Sequence, residues 1–216
     1  MSKYILTILF LSFMAAPGLA DSYQERFDDA YGPKTYQIEV DKSFARFATK
    51  MCTADIIKGG FEDFSGQIYF DREAPENSHV DVTINAASLT LDHEYHKDEL
   101  LKDIIEGDQI LKTPIFPVIS LKSTKIERTS LNTGFMTADL TLVGETHPIT
   151  LEITFENTMS DRYARKVDRQ RVAFSAYGTF KRSDWNVLYG LDRVGIRRMS
   201  DDVQVFISVT AKPIEE

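Results

Sequence analysis

The chain is short of the side chains from which covalent and metal-bound sites are built. Its 216 residues include one cysteine, Cys52, and four histidines. A single cysteine excludes an internal disulfide, a cysteine-based zinc site and a CxxC redox pair. Glycine-rich phosphate loops and the GxSxG nucleophile elbow are absent. Eleven glycines and seven prolines, without a period, exclude collagen-like and low-complexity chains. Positive charge is in deficit: 25 Lys+Arg against 33 Asp+Glu leave a net charge of -8. That field repels a phosphate backbone, so no nucleic acid is expected as a partner, although a local basic patch is allowed.

One apolar run stands at the N-terminus. Lys3 precedes Tyr4 to Ala16, Pro17-Gly18 breaks any helix, and Gly18 and Ala20 put small residues at the -3 and -1 positions of a cleavage site. This reads as a signal peptide over 1–20, with Asp21 as the first mature residue and a periplasmic or secreted destination. The run is too short for a membrane anchor, which needs about 20 apolar residues. Residues 21–34 are a polar lead-in ending in Gly-Pro, and 35–216 form one domain, long enough to bury a core unaided. Cys52, a lone cysteine, is expected to be a small buried residue.

From Thr35 onward a period of two dominates. Tyr36, Ile38 and Val40 alternate with polar residues. So do Ile68 and Phe70; Val80, Val82 and Ile84; Ile119 and Leu121; and Met136, Ala138, Leu140 and Leu142. The pattern returns at Ile149, Leu151, Ile153 and Phe155, at Val172, Phe174, Ala176 and Gly178, and at Val203, Val205, Ile207 and Val209. Each segment presents one apolar face, so seven or eight short strands with short connections predict an antiparallel sandwich or barrel. One helix interrupts the pattern. Over 92–106, Leu100, Leu101, Ile104 and Ile105 fall on one stripe, which makes the helix a lid or plug against the sheet. Residues 182–200 lack a period and read as a long loop.

Chemistry-bearing clusters are sparse. His93 and His96 share a helix face, but a catalytic zinc needs a third protein ligand. Asp28-Asp29 and Asp201-Asp202 are adjacent pairs, and neighbours on a strand point to opposite faces. Arg162, Arg165, Lys166, Arg169 and Arg171 suit either a solvated hairpin tip or anionic lipid headgroups. Arg193, Arg197 and Arg198, with Trp185, Tyr189 and Leu191, suit the mouth of a ligand cavity or plain loop packing. What remains is a surplus of large apolar groups, 14 Phe, 9 Tyr and 6 Met. They could fill a barrel or line a lumen for one elongated apolar ligand.

Six segments in order resemble the YceI-like family of lipocalin-like proteins that bind polyisoprenoids. They are YQIEVDKS from Tyr36, KGGFEDFSG from Lys58, KDELL from Lys97, FPVISLKS from Phe116, LTLVGET from Leu140 and RSDW from Arg182. The sequence departs from the family pattern at Lys42, Met51 and Glu99, where histidine is usual, and at Trp185-Asn186 in place of Phe-Gly. Any role those histidines carry is lost here. The resemblance implies an all-β fold, an extended eight-stranded antiparallel lipocalin-like barrel with one α-helix packed against it. It also implies a long apolar lumen, an isoprenoid quinone or polyprenyl lipid as bound ligand, and a periplasmic location.

Facing assigned by alternation then puts Phe47, Met51, Phe61, Phe64, Ile68, Phe70, Val82, Ile119, Leu121, Leu140, Leu142, Leu151, Phe174 and Trp185 in the lumen. The expected function is storage or transport of an isoprenoid-tailed lipid in the periplasm, with no catalytic residues, no metal and no covalent cofactor. Transient membrane contact and a homodimer stay open. Two alternatives stand beside it. One is an envelope interaction protein with a filled barrel. The other is a small metal-dependent hydrolase using His93, Asp98 and the loop around Asp184.

Overall fold

Alternating segments become strands because β-branched and aromatic side chains suit a pleated, half-buried surface. The computed structural model describes residues 33–51, 55–92, 97–156, 171–192 and 199–214. Outside them lie residues 1–20, expected to be a signal peptide, and Cys52, His93, His96, Arg162, Arg165, Lys166, Arg169, Arg193, Arg197 and Arg198. Among the described residues there are eleven strands. They are β1 (Lys34–Ile38), β2 (Phe44–Met51), β3 (Asp55–Phe61), β4 (Phe64–Phe70), β5 (His79–Asn85), β6 (Leu89–Leu91), β7 (Val118–Arg128), β8 (Thr133–Leu142), β9 (Glu145–Glu156), β10 (Val172–Lys181) and β11 (Met199–Pro213). The one α-helix, α1 (Lys97–Glu106), stands between β6 and β7.

All pairings are antiparallel, in the order β1-β4-β5-β7-β8-β9-β10-β11, and β1 pairs back onto β11. Eight strands therefore close a barrel. β2, β3 and β6 continue the sheet from β11 at the other end, where β6 abuts α1 rather than β7. Three chain segments thus run the barrel's length in two pieces, bent at Val40–Lys42, at Glu62–Asp63 and at Ala86–Ser88.

Local hydrogen bonds hold these bends. The Ser43 hydroxyl donates to the Glu39 carbonyl (2.7 Å) and accepts from the Thr210 amide (3.0 Å). The Ser88 hydroxyl accepts from the Asp63 amide (3.0 Å), and the Asn85 side chain caps the turn through the Ala87 amide (3.1 Å). Val40, expected on the inner face, sits in the first bend and is exposed. Between β8 and β9 the chain reverses in two residues, Val143 and Gly144, both with positive φ (51° and 77°). That is the hairpin turn whose twist matches the strands.

The core is the inner surface of the barrel. Ile68, Phe70, Ile119, Leu121, Met136, Ala138, Leu140, Leu142, Ile149, Leu151 and Phe155 are all buried there, as the alternation predicts. The described part of α1 runs from Lys97, residues 93–96 lie outside the described residues, and Asp92 is not helical. Its Ile104 is buried, and Leu101 and Ile105 pack against the core. The side chain of Leu100 is outside the described part. Residues 182–192 are not an irregular loop throughout. Arg182–Trp185 make a turn of 3₁₀ helix closed by Asn186 at positive φ, and β11 already begins at Met199.

A candidate ligand-binding lumen

Two apolar chambers occupy the barrel interior, of about 150 and 180 Å³. They share Ala45, Ile84, Leu121, Leu151 and Ile207 in their walls, so the two chambers adjoin at a waist formed by these residues. The waist follows from the strands. Gly178 faces inward beside Leu151, and a Cβ there would stand 2.4 Å from the Leu151 Cδ2. Only glycine lets β9 bring that leucine across the barrel.

The first chamber ends in an aromatic trio from three strands. Phe70, Phe155 and Phe174 meet with ring centroids 5.1 to 5.2 Å apart. Polar groups ring this end. Arg72, Ser78, Arg128, Asn132, Thr133 and Ser175 join the lining from the ends of β4, β5, β7, β8 and β10. The Arg72 guanidinium lies 5.8 Å from the Phe155 ring centroid, within cation–π range.

At the far end, Ile104, Ile110 and Leu111 cover the second chamber, with Val187 and Met199. The buried Arg182 anchors this cover. Its guanidinium donates to the carbonyls of Val187 (2.6 Å), Tyr189 (2.7 Å), Ser200 (2.9 Å) and Met199 (3.4 Å). Burial lowers its pKa while Asp201 raises it, and an arginine stays charged regardless. Asp201 is held by the Ser183 amide and hydroxyl (2.9 and 2.8 Å).

Of the fourteen residues assigned to the lumen, twelve line one or both chambers. Phe64, Ile68, Phe70, Val82 and Phe174 line the first. Phe47, Phe61, Ile119, Leu140 and Leu142 line the second, and Leu121 and Leu151 both. Met51 and Trp185 do not. Met51 ends β2, half-buried, opposite Met199. Trp185 is fully buried in the 3₁₀ turn. Its Nε1 donates to the Leu140 carbonyl (3.0 Å), and its ring meets edge-on Phe180, which does line the chamber. The same alternation points to further lining residues, Val80, Ile84, Val205 and Ile207. Ile110 and Leu111 carry no periodic signal and emerge only from the fold.

The lining holds no His, Cys, Asp or Glu among the described residues. Nor do three or more such side chains gather anywhere among them to hold a metal ion. Asp184 is exposed at the outer side of the 3₁₀ turn. The strongest electrostatic feature is outside the lumen, at the β1–β2 bend. Arg171 grips Glu39 through Nε (2.5 Å) and Nη2 (3.0 Å), and Lys42 adds a third contact (3.0 Å). The Arg171 hydrogen bonds hold the Glu39 carboxyl at about 2, against partial burial that pushes it up.

A closed eight-stranded barrel of this kind has known counterparts. The description of the YceI-like domain matches residues 36–211. The chain belongs to the YceI-like family. Protein YceI of Escherichia coli O17:K52:H18 is 28% identical over 209 residues, covering 97% of each chain. The YceI protein of Campylobacter jejuni superposes with a TM-score of 0.60 at 26% identity, covering 77% of this chain and 90% of its own. A polyisoprenoid-binding domain of Saccharophagus degradans, 13% identical, shares the fold with a TM-score of 0.57 over 83% of this chain and 98% of its own.

Proposed function

We propose that the protein is a non-catalytic carrier that holds the tail of an isoprenoid amphiphile, of quinone or polyprenyl type, in its lumen for storage or transport. The observation that carries this reading is the interior itself: two apolar chambers that adjoin at Leu121 and Leu151 inside a closed barrel. An elongated tail threads such a waist, and each Å² of apolar surface it buries is favourable by about 25 cal/mol. The polar ring of Arg72, Ser78, Arg128 and Asn132 suits the head group, with the tail pointing towards Ile104. The related fold from Saccharophagus degradans, a polyisoprenoid-binding domain, supports this choice of ligand. A lining without His, Cys, Asp or Glu among the described residues, which leaves its hydroxyls no side-chain base, favours holding over bond chemistry. The N-terminal apolar run and its Gly18-Leu19-Ala20 site support export to the periplasm with cleavage after Ala20.

Thermal unfolding of lipid-stripped protein tests the reading. Added isoprenoid quinone or polyprenol should stabilise the wild type, by about 2.7 kcal/mol at a hundred times Kd. Leu121→Trp fills the waist. It should fold, tolerate short-tailed quinones and lose the stabilisation given by long ones. Wild-type protein indifferent to every isoprenoid offered would favour a barrel that acts through its outer surface instead.

A further inference from the structure

Among the described residues no large apolar side chain is more exposed than Leu131, and it stands at the polar-ringed end of the first chamber. Leu131 tips the β7–β8 hairpin, is 73% exposed and also lines that chamber. Part of it therefore belongs to the lumen and the rest to water. A lone exposed leucine is ordinary on a protein surface; this one is held out by a built tip.

The Thr133 hydroxyl meets those of Thr129 (2.9 Å) and Ser130 (2.8 Å), and the Thr133 carbonyl accepts from both their amides (2.9 and 3.1 Å). Arg128 wraps the tip, donating from Nε to the Ser130 carbonyl (2.8 Å) and from Nη2 to the Leu131 carbonyl (3.5 Å). The Phe155 amide donates to the Asn132 carbonyl (2.7 Å), which ties the tip to the aromatic trio. A second exposed apolar residue, Ile214 at 43%, follows β11 at the same end. Its amide donates to the Thr35 carbonyl (3.0 Å), beside the Lys34–Phe70 pair. Charge is balanced here: Arg72 and Arg128 are offset by exposed Glu73 and Glu76, and Lys125 pairs with Glu127 (2.8 Å).

We propose that this end of the barrel docks on a phospholipid bilayer, with Leu131 among the acyl chains and Arg128 at the level of the phosphates. The partner follows from the lumen. An isoprenoid tail crossing water exposes its whole apolar surface, whereas a tail passing beside Leu131 keeps an apolar neighbour from the acyl chains to Phe70. A guanidinium beside the inserted leucine suits lipid phosphate. Tail transfer at this end rests on the carrier reading; the docking itself is measured without it.

Vesicles of phosphatidylethanolamine and phosphatidylglycerol, with the chain from Asp21 onward, test both parts. Leu131→Trp puts an indole at the tip. Its emission should shift to the blue on vesicles and be quenched when the acyl chains are brominated. Trp185, fully buried at the far end, gives the unresponsive background in the wild type. Uptake of a long-tailed quinone from vesicles by stripped protein should rise with vesicle concentration. Leu131→Asp should slow that uptake about tenfold, and uptake from detergent solution far less. Ile115→Asp, at a position 71% exposed just before the opposite end of β7, should match the wild type in both. An indole untouched by brominated chains overturns the docking. So does Leu131→Asp that slows both routes equally, because Leu131 is then only a wall of the chamber, and so does Leu131→Asp that slows neither. Wild-type protein that takes no isoprenoid from either source defeats the carrier reading, and the quenching result alone then decides the docking.

Discussion

Arg182 is the only charged side chain among the described residues that is buried, and its surroundings explain how it is tolerated. It meets four backbone carbonyls and no carboxylate, so it serves as a clasp that satisfies the turn after β10 and the start of β11 together. Arg182→Met keeps the stem but leaves those carbonyls without a donor. Chemical denaturation should show a loss of about 3 kcal/mol or more, and a loss below about 1 kcal/mol would contradict the clasp. Glu39 offers a second residue-scale check. Its carboxyl sits at about 2 when folded, against 4.5 ordinarily. A depressed carboxyl stabilises the fold above its unfolded value, and that contribution is lost as pH falls from 4.5 towards 2. Solvent screening at this surface position reduces it to about 1–2 kcal/mol. Glu39→Gln should remove that part of the acid sensitivity in pH-dependent unfolding, and an unchanged acid profile would count against the Arg171 grip.

At the scale of elements, the β8–β9 turn and α1 set the second chamber. The position of a Cβ on Gly144, at φ 77°, lies 2.5 Å from the Phe116 ring. Gly144→Ala should therefore cost about 1–3 kcal/mol in thermal unfolding, and a neutral effect would mean that the turn relaxes freely. Ile104→Ala in α1 removes part of the chamber's cover and should cost about 2–4 kcal/mol. Ligand release should quicken in the same variant, because the cover is thinner, and unaltered release kinetics would show that α1 is a wall and not a lid. These elements were unequally legible in the sequence. Leu121, Leu140 and Leu151 declared their facing by alternation, since a strand's period is two and its barrel has one inside. Val40 broke the pattern because the bend at Glu39–Ser43 is fixed by Thr210, 167 residues from Ser43, and no local signal records it. Ile110 and Leu111 face the lumen from a segment without period, placed by amides of Leu111 and Thr113 that return to Ile104 and Ile105. Trp185 read as a lumen residue because it is large and apolar; its indole N–H instead drew it to the Leu140 carbonyl.

For the whole molecule, the closed barrel is joined to two proposals, export and an occupied lumen. The N-terminal run makes processing testable on its own. Intact mass of protein recovered from the producing cell should correspond to a chain starting at Asp21, and residues 1–20 retained on membrane-associated protein would contradict export by cleavage. The occupied lumen is the central claim. Its most direct test is mass spectrometry of an organic extract from protein purified natively without added lipid. An isoprenoid-tailed molecule near one per chain is expected, greatly reduced in extracts of Leu121→Trp. Repeated extracts empty of any isoprenoid, or an equal yield from that variant, would contradict it.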